Sequence, residues 1–238
     1  MCSKILLNIE NKMTSQSING VKKVLIGTPS YDGKVDTWFA DSLVRTLRQG
    51  WNQKIEIHTI YPSYDSLVQR ARNDLVRMAM DGGYDTLFFI DADVEWEPEW
   101  FFRLLARPEP VVGAALVKKS DREGYTVKIT HKKIPRSEDE SLIEVDGLGT
   151  GFLKVDRFAF EKLWLMSEPY LHEGVPNRMV FDVKIIDGDL VSEDFILCRK
   201  WLSLGYKVWC DPSITINHNG VKKYIGDLAA FLTKNDYF

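Results

Sequence analysis

Four apolar residues run directly into a pair of carboxylates in Leu87-Phe88-Phe89-Ile90-Asp91-Ala92-Asp93, and this segment constrains the architecture more than any other. The run is too apolar for a half-solvated strand and too short for a helix. It reads as a central strand of a parallel sheet, buried on both faces. Such sheets place ligands beyond the carboxyl ends of their strands, which is where Asp91 and Asp93 stand. In extended chain, residues two apart share a face, so both carboxylates are expected to address one site while Ala92 points away. Hard oxygen ligands of this kind suit Mg²⁺, Mn²⁺ or Ca²⁺ rather than zinc. A plain turn also explains an isolated Asp-x-Asp, since Asp is common where strands stop.

The flanking sequence places that strand in an α/β fold. Strand-like runs at 21–28, 54–60 and 110–117 alternate with helical periodicity at 37–49, 66–80 and 98–105, which predicts parallel βαβ units. Gly50 and Asp81-Gly82-Gly83 read as helix stops. After residue 117 come short strand-like runs at 125–130, 143–145 and 151–155, a helix at 193–204, a strand at 207–210 and an amphipathic stretch at 224–232. With 238 residues and no linker, repeat or low-complexity tract, the chain reads as one domain, 21–238, behind a leader at 1–20. The leader's brief apolar patch, Ile5-Leu6-Leu7, is too short for a signal peptide or a membrane span. Lys and Arg total 31 against 34 Asp and Glu, with no long basic run, which argues against a nucleic-acid partner. Cys2, Cys198 and Cys210 show no paired spacing, so a disulfide framework or zinc site is not expected and a reducing, cytoplasmic setting in the producing or host cell is.

Other segments supply the rest of a possible site. Thr28-Pro29-Ser30-Tyr31-Asp32 leaves the first strand at the same sheet edge, where a nucleotide base and ribose fit against Tyr31 and Asp32; it also reads as an ordinary turn. Arg70, Asn73 and Arg77 share a polar face of the 66–80 helix with Arg72 near its rim, either solvated or reaching a phosphate or base. Trp96 and Trp100 suit either stacking on a sugar ring or the core. Gly147-Leu148-Gly149-Thr150-Gly151 lacks the Lys-Ser/Thr ending of a Walker loop, so its glycines are expected to pass close to a bound sugar or form a bulge. Glu193 and Asp194 open a helix, where the dipole accounts for one acid and a general base is a use for the other. His218 is either structural or a third cation ligand.

Taken in order from Val24 to about Gly226, these segments resemble the GT-A type glycosyltransferases. More narrowly they are similar to a group met in large viruses, phages and bacteria that includes the N-terminal glycosyltransferase domain of a chlorovirus enzyme. The likeness rests on Thr28-Pro29-Ser30-Tyr31, Ala71-Arg72-Asn73, Phe89-Ile90-Asp91-Ala92-Asp93, Val112-Gly113-Ala114 leading to Lys118-Lys119, Gly149-Thr150-Gly151-Phe152, Ser192-Glu193-Asp194-Phe195 and His218-Asn219-Gly220. Leu116-Val117 departs from an aromatic-proline pair common in relatives. The resemblance implies a GT-A fold: a Rossmann-like, mostly parallel central sheet flanked by helices, with a smaller acceptor-side sheet region. Residues at about 21–117 would form the nucleotide-sugar half and 118–238 the acceptor and catalytic half. It implies a metal-dependent enzyme moving a hexosyl or deoxyhexosyl group from a nucleoside diphosphate, UDP or GDP, to a glycan or other hydroxyl acceptor with inversion. It would act as a monomer or within a larger assembly. By the same resemblance Asp91, Asp93 and His218 hold Mn²⁺ or Mg²⁺, and Asp194 with Glu193 beside it is the base. Thr28, Pro29, Tyr31, Asp32, Arg72, Asp91, Ala92, Trp96, Lys119 and Gly151 line the donor site. Two alternatives remain. One is a non-catalytic nucleotide-sugar or glycan-binding module on the same fold. The other is a haloacid-dehalogenase-type phosphatase, with Gly188-Asp189 and Asp194 as its later acidic motif, although Val94-Glu95 replaces the Thr that follows its second Asp.

Overall fold

In the computed structural model, which describes residues 22–131, 133–235 and 237, the run ending at Ile90 is a strand buried at every position. The leader expected at 1–20 lies outside the described residues. The first half consists of β1 (Lys23–Gly27), α1 (Thr37–Asn52), β2 (Glu56–Ile60), α2 (Val68–Asp81), β3 (Thr86–Ile90), β4 (Val94–Glu95) and α3 (Pro98–Leu105). Then follow β5 (Val111–Gly113), β6 (Val127–Lys128), β7 (Ile143–Val145), β8 (Gly147–Leu148), β9 (Phe152–Asp156), α4 (Arg157–Met166), β10 (Pro169–His172) and β11 (Val175–Arg178). The chain ends with β12 (Lys184–Ile186), β13 (Asp189–Val191), α5 (Glu193–Ser203), β14 (Val208–Cys210), β15 (Asn217–Asn219), β16 (Lys223–Tyr224) and α6 (Leu228–Lys234).

The central sheet has the order β2-β1-β3-β9-β5-β14-β7. Strands β2, β1, β3, β5 and β14 point one way, while β9 and β7 run antiparallel to their neighbours. The expected α/β architecture with a mostly parallel central sheet is therefore present. Successive residues of these strands divide between two cores, as the strand period of two requires. Leu25, Phe89 and Leu153 face a cluster with Leu75, Phe160 and Trp201 from α2, α4 and α5. Ile26, Phe88 and Phe152 face Phe39, Phe101 and Leu104 from α1 and α3 on the other side.

Several expectations need correction. Gly50 lies inside α1 rather than ending it; its bare Cα admits the Ile57 side chain. The strand expected over 110–117 is confined to Val111–Gly113, and the residues after it leave the sheet while staying buried. Helix α4 and two hairpins were not read from the sequence. Asp156 caps α4 by accepting the Ala159 N–H at 2.9 Å. The hairpins β10–β11 and β12–β13 turn on Glu173-Gly174 and Asp187-Gly188, with φ of 51°, 79°, 54° and 88°, the left-handed geometry of a two-residue type I′ turn. Gly188-Asp189, the later acidic motif of the phosphatase alternative, is thus an exposed hairpin tip.

Lys154, midway along β9, is only 2% exposed and donates through Nζ to the Arg107 carbonyl at 2.6 Å. Burial lowers its pKa from 10.5 to about 8, against the opposing attraction of Asp156. Between those values the folded chain binds fewer protons than the unfolded one, so stability rises with pH. Lys154→Met is expected to abolish a rise of roughly 3 kcal/mol between neutral and strongly alkaline pH. Urea unfolding of both proteins across that range measures it, and an equal rise in the two would refute the assignment.

Candidate active site

Asp91, Ala92 and Asp93 form a turn rather than a continuation of β3: the strand ends at Ile90, and the Val94 N–H donates to the Asp91 carbonyl at 3.3 Å. Both carboxylates line one cleft, but as turn residues rather than as alternate residues of one strand. The turn sends them to different partners. Asp91 accepts from Arg72 Nη2 at 2.9 Å, while Asp93 pairs through Oδ2 with Lys119 and faces His218 Nε2 through Oδ1 at 3.5 Å.

His218 reaches this turn because β15 pairs antiparallel with β4, setting His218 opposite Val94, and the Asn219 N–H donates to the Asp93 carbonyl at 2.8 Å. The His218 Nδ1 lies 2.8 Å from the Val117 carbonyl. Nδ1–H donates there, so a neutral ring presents its Nε2 lone pair towards Asp93. Burial would raise the Asp93 carboxyl, but the His218 ring when it is charged, with Nε2–H donating, and the Lys119 ammonium hold it at about 2.

Arg72, expected near the helix rim either solvated or reaching a phosphate or base, is turned inward by α2 to 6% exposure. Its Nη1 pairs with Glu193 and its Nη2 with Asp91. Desolvation would lower the guanidinium, yet Asp91, then Glu193 and Asp194, hold it above its ordinary value. Neighbouring Asn73 is fully buried and clasps the Phe181 backbone, accepting its N–H at 2.7 Å and donating to its carbonyl at 3.0 Å. Arg70 and Arg77 stay on the polar face, paired with Asp65 and Asp81.

Glu193 and Asp194 occupy the first turn of α5, beside the positive end of its dipole. They divide the roles assigned to the pair. Glu193 is committed to Arg72, whereas Asp194 accepts the Ser192 hydroxyl and the Phe195 N–H on Oδ1. Its Oδ2 has no hydrogen-bond partner among the described residues.

A cleft of about 270 Å³ lies between the loop after β1, which contributes Pro29, Ser30 and Tyr31, and the turn, Arg72 and His218. Ala92 lines it, contrary to the expectation that it points away. Pro62, Val68 and Asp65 also line it and were missed from the sequence; Asp65, just ahead of α2 and accepting the Leu67 N–H at 2.9 Å, carried a helix-start signal. Of the expected site residues, Thr28, Asp32, Trp96, Lys119, Gly151, Glu193 and Asp194 do not line the cleft. Thr28 is wholly buried, with its hydroxyl unpartnered. Asp32 turns to the Lys34 N–H and Nζ, both at 3.2 Å. Trp96 is core, 1% exposed, packed on Phe39 and Phe152 and donating to Thr46 Oγ1 at 3.0 Å. Gly151 permits a close approach, but to Asp91: a Cβ there would stand 3.0 Å from Asp91 Oδ2 and 2.7 Å from Leu116. A wider, open groove of about 700 Å³ runs between residues 117–123 and 215–227 and is not lined by Arg72, Asp91, Asp93 or Asp194.

The chemistry of Asp91, Asp93 and His218 fits a hard divalent cation, and the pinned histidine suits ligation. The three are not gathered as expected, because Asp91 is held by Arg72. Among the described residues, the set of acids and histidines whose ligand atoms lie within 4.8 Å of one another is Asp65, Asp74 and His172. That set is already engaged: Arg70 pairs with Asp65, and His172 and Asn177 bond Asp74 at 2.9 and 2.6 Å.

No family model matches the sequence, and no curated protein matches it either. Among solved structures, the chain is similar to a mutant Drosophila β-1,4-galactosyltransferase 7 in complex with manganese, UDP-Gal and xylobiose, at 16% identity and a TM-score of 0.48, covering 82% of this chain. It is also similar to a glycosyltransferase involved in the glycosylation of the major capsid of PBCV-1 (10% identity, TM-score 0.34, 58% of this chain). A third is a mannose-1-phosphate geranyltransferase from Thermus thermophilus (12% identity, TM-score 0.36, 62% of this chain). The matches span 66%, 62% and 66% of those chains, just under two thirds of their lengths. Two of these three solved structures are glycosyltransferases by their descriptions. At such identities and TM-scores, what those proteins bind or catalyse says nothing by itself about this chain.

Proposed function

We propose that the chain is a GT-A type glycosyltransferase that moves a sugar from a UDP or GDP sugar to a hydroxyl of a glycan or similar acceptor, with inversion. The observation that carries this reading is Arg72, whose buried guanidinium joins Asp91 of the turn to Glu193 beside Asp194. One ion network therefore ties Asp91 of the turn to the helix start that carries the general base. Asp194 Oδ2 takes the proton of the acceptor hydroxyl as that oxygen attacks the anomeric carbon from the face opposite the diphosphate. The bond from the anomeric carbon to the diphosphate oxygen breaks, and its electron pair leaves with the diphosphate. Ser192 and the Phe195 N–H orient Asp194. Tyr31, 69% exposed at the cleft rim, offers its ring to the nucleobase. Asp93 and His218, with Asp91, would hold a divalent cation, which would supply Lewis-acid neutralisation of the departing diphosphate. Residues 21–117 supply most of the donor side and 118–238 the base and acceptor side. The free oxygen of Asp194 favours an enzyme over a non-catalytic binding module. Among the described residues, no helix is long and apolar enough to cross a membrane.

Thermal denaturation with UDP, GDP, CMP and dTDP, each with Mn²⁺ or EDTA, tests the donor assignment. At 100 times its dissociation constant a nucleotide stabilises the native state by about 2.7 kcal/mol. UDP or GDP is expected to shift the melting temperature only with Mn²⁺, and Asp93→Asn to lose that shift. An equal shift in EDTA would remove the cation from the reading; no shift with any nucleotide would remove the donor.

A further inference from the structure

The cations around the turn differ in how firmly they are held. Arg72 is 7% exposed at its side chain and locked between two carboxylates. His218 is pinned through Nδ1 to the Val117 carbonyl and by the pairing of β15 with β4. Lys119 has no such anchor. Its ammonium pairs with Asp93 Oδ2, its side chain is a third exposed, and Asp93 is the partner of its Nζ. Its stem lies across Gly220, where a Cβ would stand 3.2 Å from Lys119 Cδ and 3.5 Å from Cε. A bare glycine thus leaves the stem a track on which to lie, and solvent leaves the head a route away. An ammonium on one carboxylate oxygen and a divalent cation on the same carboxylate repel each other, so the two compete for Asp93.

We propose that Lys119 is an exchangeable counter-ion for Asp93: it neutralises the carboxylate in the cation-free protein and yields it when a divalent cation binds. This rests on the cation-dependent reading above and adds a cost to cation binding that the ligand set alone does not contain. Lys119 is the group that yields, because its flexible stem swings to water, whereas His218 remains in place as a ligand.

The test is titration of the full chain with Mn²⁺ alone, following free Mn²⁺ by electron paramagnetic resonance, for the unaltered protein, Lys119→Met, Lys119→Arg and Asp93→Asn. Lys119→Met keeps the stem and removes the charge; it is expected to bind Mn²⁺ at least tenfold more tightly than the unaltered protein. Lys119→Arg, which keeps the charge, is expected to bind no more tightly than the unaltered protein, and Asp93→Asn to lose binding. Mn²⁺ binding by Lys119→Met that is unchanged or weaker would overturn the exchange while leaving the cation site standing. Absence of Mn²⁺ binding in both the unaltered protein and Lys119→Met would overturn the cation site and the exchange with it.

Discussion

Asp194→Asn is expected to lower sugar-transfer turnover by about 10²- to 10⁴-fold, the range over which a positioned general base contributes, while donor affinity stays unchanged. The reason is local. An amide keeps the Oδ1 acceptor that receives the Ser192 hydroxyl and the Phe195 N–H, so the first turn of α5 is preserved. What changes is Oδ2, the oxygen left without a protein partner, which becomes an NH₂ that accepts no proton. Glu193 cannot take over, because its carboxylate is held by Arg72 and is only 13% exposed. Steady-state kinetics with the donor identified by thermal shift separate the cases. A loss confined to kcat supports the base; full activity would show that the proton goes elsewhere; a loss confined to KM would make Asp194 a binding residue.

Arg72→Leu is expected to destabilise the folded chain by about 3 kcal/mol, the lower part of the range for removing one partner of a buried ion pair. Leucine leaves Asp91 and Glu193 with no counter-charge at 33% and 13% side-chain exposure, and the partial solvation of Asp91 keeps the loss at that lower end. Urea midpoints of the two proteins measure the loss. The double variant Arg72→Leu with Glu193→Gln is expected to recover part of the loss, because the two residues share one interaction. A loss below about 1 kcal/mol, the size of an exposed pair, would show that Arg72 is not the buried link between the two motifs.

The central strand was legible because burial on both faces demands an uninterrupted apolar run, and Leu87 to Ile90 has one. Helix α3 was legible end to end, since Pro98 at its start and the spacing of Phe101, Leu104 and Leu105 are local signals. The hairpins carried signals as plain, Glu173-Gly174 and Asp187-Gly188, yet their strands alternate weakly because both faces are largely solvated. Helix α4 was hidden because Asp156 both ends β9 and caps the helix, leaving no loop between them.

For the site, the residue types alone determined that acids spaced by one would end a buried strand, that two more would open a helix and that a lone histidine would come late in the chain. Each of those is a property of neighbours in sequence, and short-range sterics and burial suffice to set them. Which acid faces which cation was decided only in three dimensions. Arg72 read as either solvated or reaching a ligand because helical periodicity gives a direction and not a depth, and it is buried with Asp91 and Glu193, 19 and 121 residues away, as its partners. His218 read as either structural or a cation ligand, and only the pairing of β15 with β4 set it against Asp93. Trp96 suited a sugar platform or the core, and packing on Phe39 and Phe152 at one face of the sheet put it in the core. Electrostatic and packing partners far apart in sequence leave no periodic trace along the chain, so the ion network that assigns these roles exists only once the sheet has formed.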